Sequence, residues 1–198
     1  MKYPPQQYQD PEKDHMIEII KRYPLATVIS VLKNTPFTSH LPLVYDDGKL
    51  IGHIDIFNPQ SKLLKDNLPV TVLFHGPQCY ISPSIYSTEQ LPTWNYIRVH
   101  LSGRVKSIES KEALKRSLIT MTEFLEGEPA KYTLDPNNPR MHRNLDYITM
   151  FEIEIESWEG KFKLSQDRKP NDRRAAREEL IKRSEASIRT LLDDIFKI

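Results

Sequence analysis

The sequence predicts an α+β protein with an antiparallel barrel at its core. Three observations lead there. Six or seven β-branched or alternating segments follow one another through short turns, which suits antiparallel pairing. Helical periodicity is concentrated near the two ends and in one stretch around residue 120. The strands do not alternate with crossover helices, which argues against a parallel sheet. The 198 residues suit one domain, able to bury about 70% of its extended surface without covalent staples.

Taken in order, Asp10-Pro11 opens the first helix, with the Asp as N-cap and the Pro at the first helical position. Met16, Ile19, Ile20 and Tyr23 follow at helical spacing, and Pro24 ends it. Residues 25–32 are a β-branched strand bounded by an Asn34-Thr35-Pro36 turn. Residues 37–45 and 49–54 are the next strands, joined by an Asp46-Asp47-Gly48 hairpin. Asn58-Pro59 caps a short helix to about Asp66, and residues 70–75 and 78–82 are two strands on either side of Gly76-Pro77. A loop over 83–92 precedes a long strand over 93–108. Ser110 caps a helix to about Glu126, with Gly127 as its C-cap. Residues 128–143, rich in Pro and Asn, are read as irregular. Over 149–156, Phe151, Ile153 and Ile155 alternate with Glu152, Glu154 and Glu156, the pattern of a strand with one wet face. Beyond Leu164 the composition turns to charge, and from Asn171 onward it is helical.

Composition excludes several functions. Fifteen prolines accompany only six glycines, at 48, 52, 76, 103, 127 and 160. So dispersed a set makes neither a Rossmann fingerprint nor a P-loop, both of which need clustered glycines at a phosphate. The net charge of +1 sets up no general attraction to nucleic acid or anionic membrane, although residues 157–198 carry 11 basic residues against 8 acidic. The lone Cys79 permits no internal disulfide and no thiolate cluster; it suits a buried strand position in a reducing cytoplasm. No apolar run approaches the roughly 18 residues of a membrane span, and the N-terminus has no signal-peptide pattern, so the expected location is cytoplasmic.

Four segments depart from plain barrel architecture. In Phe37-Thr-Ser-His-Leu-Pro-Leu43, Ser39 and His40 interrupt an apolar strand and Pro42 removes a ladder donor. Gly52-His53 leads through a strand to Asn58-Pro59-Gln60. Tyr80-Ile-Ser-Pro-Ser-Ile-Tyr86 and Pro92-Thr-Trp-Asn-Tyr96 set four aromatics among small polar residues. In Gly160-Lys-Phe-Lys-Leu-Ser-Gln166, polar donors alternate along an extended segment. Each has an ordinary structural explanation. Together they offer what an aromatic, phosphorylated ligand needs: hydroxyl, ammonium and backbone donors for a phosphate, Trp94, Tyr96 and Tyr86 rings for stacking, and Asn95 or Gln166 for a ring edge.

The run of Ser39-His40-Leu41-Pro42-Leu43, Gly52-His53, Asn58-Pro59-Gln60, Phe74-His75-Gly76-Pro77, Tyr80-Ile-Ser-Pro83, Pro92-Thr-Trp-Asn-Tyr96 and Lys163-Leu164-Ser165-Gln166 closely resembles the PaiB-type family of FMN-binding negative transcriptional regulators. The resemblance covers about residues 2–168. It implies the split β-barrel shared with flavin reductases and pyridoxamine-phosphate oxidases. It also implies a homodimer with FMN at the subunit interface. On matching positions it nominates Thr27, Ser39, His40, Leu41 and Pro42 along one wall, with His53, Asn58 and Gln60 nearby. Trp94, Asn95, Tyr96, Lys163, Ser165 and Gln166 are nominated as further contacts, some of them from the partner subunit.

The expected organisation is therefore an FMN-binding split-barrel domain over 1–168 and a charged helical extension over 169–198, which is longer than the family's short tail. Two other functions stay open: an FMN-dependent oxidoreductase, with His40, His53 and His75 as the titratable candidates, and a haem-handling barrel. No general acid, base or nucleophile declares itself, and no metal spacing is present. Charge and motif do not support direct DNA binding. The one candidate surface for it is the tail, with Arg168, Arg173, Arg174, Arg177, Lys182, Arg183 and Arg189 among interleaved acids.

Overall fold

The computed structural model describes residues 3–184; Arg189 and the rest of the extension beyond 184 lie outside them. The strands are β1 (Gln9–Asp10), β2 (Leu25–Leu32), β3 (Thr35–Pro42), β4 (Val44–Asp46), β5 (Lys49–Asp55), β6 (Pro69–Ile81), β7 (Thr93–Ile108) and β8 (Ile148–Lys163). The α-helices are α1 (Lys13–Arg22), α2 (Lys111–Glu126), α3 (Pro139–Asn144) and α4 (Pro170–Ser184). The eight strands run in the order β3-β2-β6-β7-β8-β5-β4, with β1 added against β8. The fold is α+β, a split β-barrel, as the sequence predicts.

Local chemistry accounts for the boundaries. Lys33 and Asn34 take positive φ values of 49° and 64°, giving β2 and β3 a two-residue connection whose twist matches paired strands. Asp47 and Gly48, at 38° and 85°, do the same between β4 and β5. The Ser110 hydroxyl accepts from the Ala113 N–H at 3.2 Å and starts α2, which ends at Gly127.

Four expectations are corrected. Asp10 does not cap α1; Glu12 holds that position, and Asp10 instead pairs with Gly160 in β1. The pairing needs a glycine, because a Cβ at 160 would lie 2.6 Å from the Asp10 carbonyl oxygen. Residues 69–81 are one strand and not two, although the buried positions shift from 70, 72, 74 and 76 to 79 and 81 across Pro77-Gln78. The supposedly irregular 128–143 ends in α3, whose first N–H groups at Arg140 and Met141 donate to the Asn138 side chain. Likewise β8 extends well past 156, to Lys163.

The described residues form two compact units. The larger comprises 12–75 and 99–159. Its core is built from Val28, Leu43, Leu50, Val72, Phe74, Val99, Leu101, Phe151 and Ile153, all at most 2% exposed. On α1 the residues at helical spacing, Met16, Ile19 and Ile20, are the buried ones. The smaller unit comprises 3–11, 76–98 and 160–184. Here Cys79 and Ile81 of β6 pack against Ala176 and Leu180 of α4, with Ile85, Tyr86 and Leu164 around them. Burial pushes the Cys79 thiol pKa up, so it packs as an inert apolar group.

In the larger unit β7 and β8 approach so closely at Gly103 that a Cβ there would collide with the Glu154 carbonyl group. Gly103→Ala is therefore expected to lower stability by about 2 kcal/mol, the scale of forced overpacking. Urea unfolding of the variant checks this, and an unchanged midpoint would contradict the close approach.

Candidate functional site

The nominated residues fall into a group in each unit. In the larger unit, strand alternation decides what each can do. Thr27 and His40 are direct partners in the β2–β3 register, as are Val28 and Ser39. Val28 and Ser39 are buried, whereas His40 is exposed and Thr27 half-buried. The adjacent Ser39 and His40 therefore sit on opposite faces of β3, and likewise Leu41 and Pro42.

On the outer face Thr27 Oγ1 lies 3.2 Å from His40 Nδ1 and 3.0 Å from His75 Nε2. One hydroxyl has one hydrogen and two lone pairs. With both imidazoles neutral, it donates to one ring and accepts from the other. The result is a continuous imidazole–hydroxyl–imidazole chain across β3, β2 and β6, open to solvent. His75 was not among the nominated contacts. Its signal was the polar residue within Phe74-His75-Gly76-Pro77, and only strand order brings it to Thr27.

On the inner face the groups are occupied internally. The Asn58 side chain accepts from the Gln60 N–H at 2.9 Å and donates to Ser39 Oγ at 2.9 Å. Gln60, 1% exposed, directs Nε2 at the Val28 and Phe37 carbonyl oxygens and at Ser30 Oγ, 3.0–3.2 Å away. Its Oε1 is buried without a hydrogen-bond partner among the described residues. His53 faces elsewhere: Nε2 lies 2.5 Å from Ser117 Oγ of α2. Ser117 donates to the Leu114 carbonyl at 3.0 Å, so it accepts from His53, which is neutral with its proton on Nε2. Burial pushes the His53 pKa down to about 4.

In the smaller unit, Asn95 and Ser165 are buried, at 1% and 3% exposure. Ser165, held at φ 64°, donates its hydroxyl to Asn95 Oδ1 at 3.1 Å and meets the Tyr86 hydroxyl at 3.1 Å. Gln166 closes the turn after β8: Oε1 accepts from the Leu164 N–H at 2.7 Å, and Nε2 donates to the Phe162 carbonyl. Lys163 Nζ donates to Thr93 Oγ1 at 2.7 Å and lies 5.9 Å from the centre of the Tyr8 ring. That leaves the ammonium with spare hydrogens. Trp94, 49% exposed, sits beside Tyr80, their ring centres 6.4 Å apart. Arg98 lies over the Tyr96 ring at 5.9 Å. Tyr86, expected from the sequence as a stacking ring, and Arg168, expected as part of the tail surface, belong to this group as well.

The family whose model matches is described as "Putative FMN-binding domain", and the match spans residues 2–157. The chain belongs to this family. The protein named "Protease synthase and sporulation protein PAI 2", from Bacillus subtilis, is 29% identical over 86% of this chain and 84% of its own length. Two solved structures share the fold. The "FAD and Heme binding protein" of Mycobacterium smegmatis has a TM-score of 0.65 at 18% identity, covering 85% of this chain and 80% of that one. The "Flavocytochrome Anf3" of Azotobacter vinelandii has a TM-score of 0.62 at 15% identity, covering 78% and 69%. The chain is thus a flavin-binding split barrel.

Each unit by itself presents groups that suit this cofactor class. In the larger unit the chain on Thr27 presents an imidazole N–H at one of its ends. In the smaller unit Lys163 supplies a cation and Trp94 and Tyr80 supply rings. Among the described residues no group of three His, Cys, Asp or Glu is arranged to hold a metal, and no helix is long and apolar enough to cross a membrane.

The depressed His53 pKa makes stability depend on pH. An unfolded histidine titrates near 6.5, so between about pH 6.5 and 4 the unfolded chain takes a proton that the folded chain refuses. Stability therefore falls as pH drops through that window. Replacing the group, His53→Gln, is expected to shrink the stability difference between pH 7 and pH 4.5 by about 2 kcal/mol, measured by urea unfolding at both pH values. Identical pH dependence would contradict a buried neutral imidazole.

Proposed function

We propose that this chain binds FMN at the interface of a homodimer and acts as a flavin-responsive negative regulator of transcription in the cytoplasm. The observation that carries the flavin part is the His40–Thr27–His75 chain on the outer face of the sheet, which presents an imidazole N–H at one of its ends. It provides a phosphate seat made of side chains, which the scarcity of glycine requires. Bound flavin supplies reversible electron and hydride chemistry; the protein's residues hold it, orient it and exclude water. FMN is favoured over FAD by the family's description and by side-chain donors sufficient for one phosphate.

Two features support the dimer. β3 ends the strand order, and beside it β2 exposes Leu25, Val31 and Leu32, at 60%, 62% and 47%. In the smaller unit Leu91 and Trp94 are also exposed. Apolar surface beside a strand edge calls for a cover, and a second copy supplies it.

The regulatory part rests on the resemblance to PaiB-type proteins. On α4, Arg177 pairs with Glu178 at 2.6 Å and Arg183 with Glu179 at 2.5 Å. With the overall charge near zero, this favours regulation through flavin occupancy over a DNA-reading helix of this chain. A second reading, an FMN-dependent oxidoreductase, is favoured by the same imidazole–hydroxyl–imidazole chain, which can pass a proton between its ends.

FMN titration and size measurement test the proposal. The purified chain is expected to be a dimer holding one FMN per copy and binding FMN more tightly than FAD. His40→Ala should weaken FMN by about tenfold, the value of a hydrogen bond to a charged group, and Thr27→Val by less, because Thr27 orients the rings and has no hydrogen left to donate. A colourless monomer that refuses added FMN would overturn the reading. Retention of promoter-length duplex with a steep salt slope would replace occupancy-based regulation by direct DNA binding. Anaerobic bleaching of the flavin by NADH or NADPH would favour the oxidoreductase.

A further inference from the structure

Helix α4 lies wholly beyond the 2–157 family match, and its sequence reads as a solvated charged tail. Its inner face is not solvated. Asp172, Ala176 and Leu180 recur at four-residue spacing and are the buried residues of α4. Ala176 and Leu180 pack with Cys79 and Ile81 of β6, with Ile85 and Tyr86 against them.

Asp172, 1% exposed, takes three hydrogen bonds from the connection between β6 and β7. Oδ1 accepts from the Ser87 N–H at 2.7 Å and the Ser87 hydroxyl at 2.8 Å. Oδ2 accepts from the Thr88 hydroxyl at 2.7 Å, and Thr88 in turn accepts from Gln90 Nε2 at 3.0 Å. The Ser87 N–H and the Thr88 hydroxyl hold this carboxyl below the usual carboxylate range, so at neutral pH it is an anion with its acceptors filled.

Just before α4, Arg168 donates to the Gln90 side-chain carbonyl, and its guanidinium carbon lies 6.0 Å from the centre of the Tyr86 ring. Tyr86 is thereby fixed from three sides: by Ala176 and Leu180, by Arg168, and by the neighbouring Ser87 bonded to Asp172. The Tyr86 hydroxyl meets Ser165, which holds Asn95 Oδ1. The orientation of the Asn95 side chain is therefore set through Ser165 and Tyr86.

We propose that Asp172 is a positioning residue for the flavin site, and that α4 clamps the 83–92 connection so that Tyr86, through Ser165, orients the Asn95 amide toward a flavin acceptor. This rests on the flavin reading above. A first-turn acid at a helix N-terminus normally stabilises its own helix alone. Here the three hydrogen bonds to the carboxylate all come from the connection that carries Tyr86.

Two readouts on the full chain separate the possibilities: FMN affinity by quenching of flavin fluorescence, and hydrogen exchange over residues 86–90. Asp172→Ala is expected to speed exchange of the Ser87 amide and to weaken FMN by about tenfold, within the usual range of coupling between sites. Asp172→Asn, which keeps an acceptor, should lie between it and the natural chain. Should Asp172→Ala fail to fold, Thr88→Val, which loses one of the three bonds, is expected to move both readouts less and in the same direction. Faster exchange with unchanged FMN affinity would overturn the proposal, as would a Ser87 amide already unprotected in the natural chain. If the natural chain binds no FMN, the flavin reading fails and the coupling with it, while slow Ser87 exchange would still show the clamp itself.

Discussion

The register between β2 and β3 is the constraint on which the larger unit's chemistry depends. Antiparallel partners run without a break from Leu25↔Pro42 to Leu32↔Thr35. A slip of one residue would carry His40 to the buried face and Ser39 out into solvent. Two devices prevent it. The two-residue turn at Lys33 and Asn34 sets the pairing from one end. From the inner face, the single amide nitrogen of Gln60 reaches the Val28 carbonyl on one strand and the Phe37 carbonyl on the other. A buried polar side chain that binds both strands tolerates one alignment of them, and its remaining acceptor stands unpartnered as part of the cost.

Seen this way, the nominated residues divide by what their atoms have left to give. Asn58, Gln60 and Gln166 spend their amides on strand carbonyls, a helix-start N–H and a turn. His53 spends its one proton on Ser117. Ser165 spends its hydroxyl on Asn95. Lys163 retains spare hydrogens, and the His40–Thr27–His75 chain an N–H at one end. On the proposed reading a motif records two kinds of residue together, those that meet the flavin and those that hold the first kind in place. The second kind is the more buried, because a hydrogen bond fixes geometry best where water cannot compete for it.

Much of the fold was legible because its signals are local. Residues 25–32 and 93–108 were read with the boundaries of β2 and β7, and Ser110 and Gly127 bracketed α2. The misreadings share a cause. Gly76-Pro77 has the composition of a turn, yet β6 runs through it, because strand continuity there is decided by neighbouring strands. Asp10-Pro11 has the composition of a helix start, yet Asp10 pairs with Gly160, some 150 residues distant. Asn138-Pro139 carried the same cap signal as Asn58-Pro59 and went unread amid a Pro-rich stretch. For the site, residue chemistry was legible and partnership was not. Thr27 and His40 were named, but the third member, His75, joins them through the β3-β2-β6 order, which no local window contains.

The scarcity of glycine ties these points together. A glycine-rich loop binds phosphate with backbone N–H groups, and its geometry is carried within a few residues. On the proposed reading the phosphate is held by side chains, and side chains from three strands converge only if register and strand order are held. That shifts the burden from sequence-local geometry to the polar groups that lock the scaffold: Gln60 between β2 and β3, Ser165 beside Asn95, and Asp172 on α4. In such a protein the segment furthest from the recognisable motifs can be as necessary as the motifs themselves. The charged appearance of α4 hides this, because one helical face in contact with β6 and the following connection is enough to do it, and the rest of the helix is left to solvent.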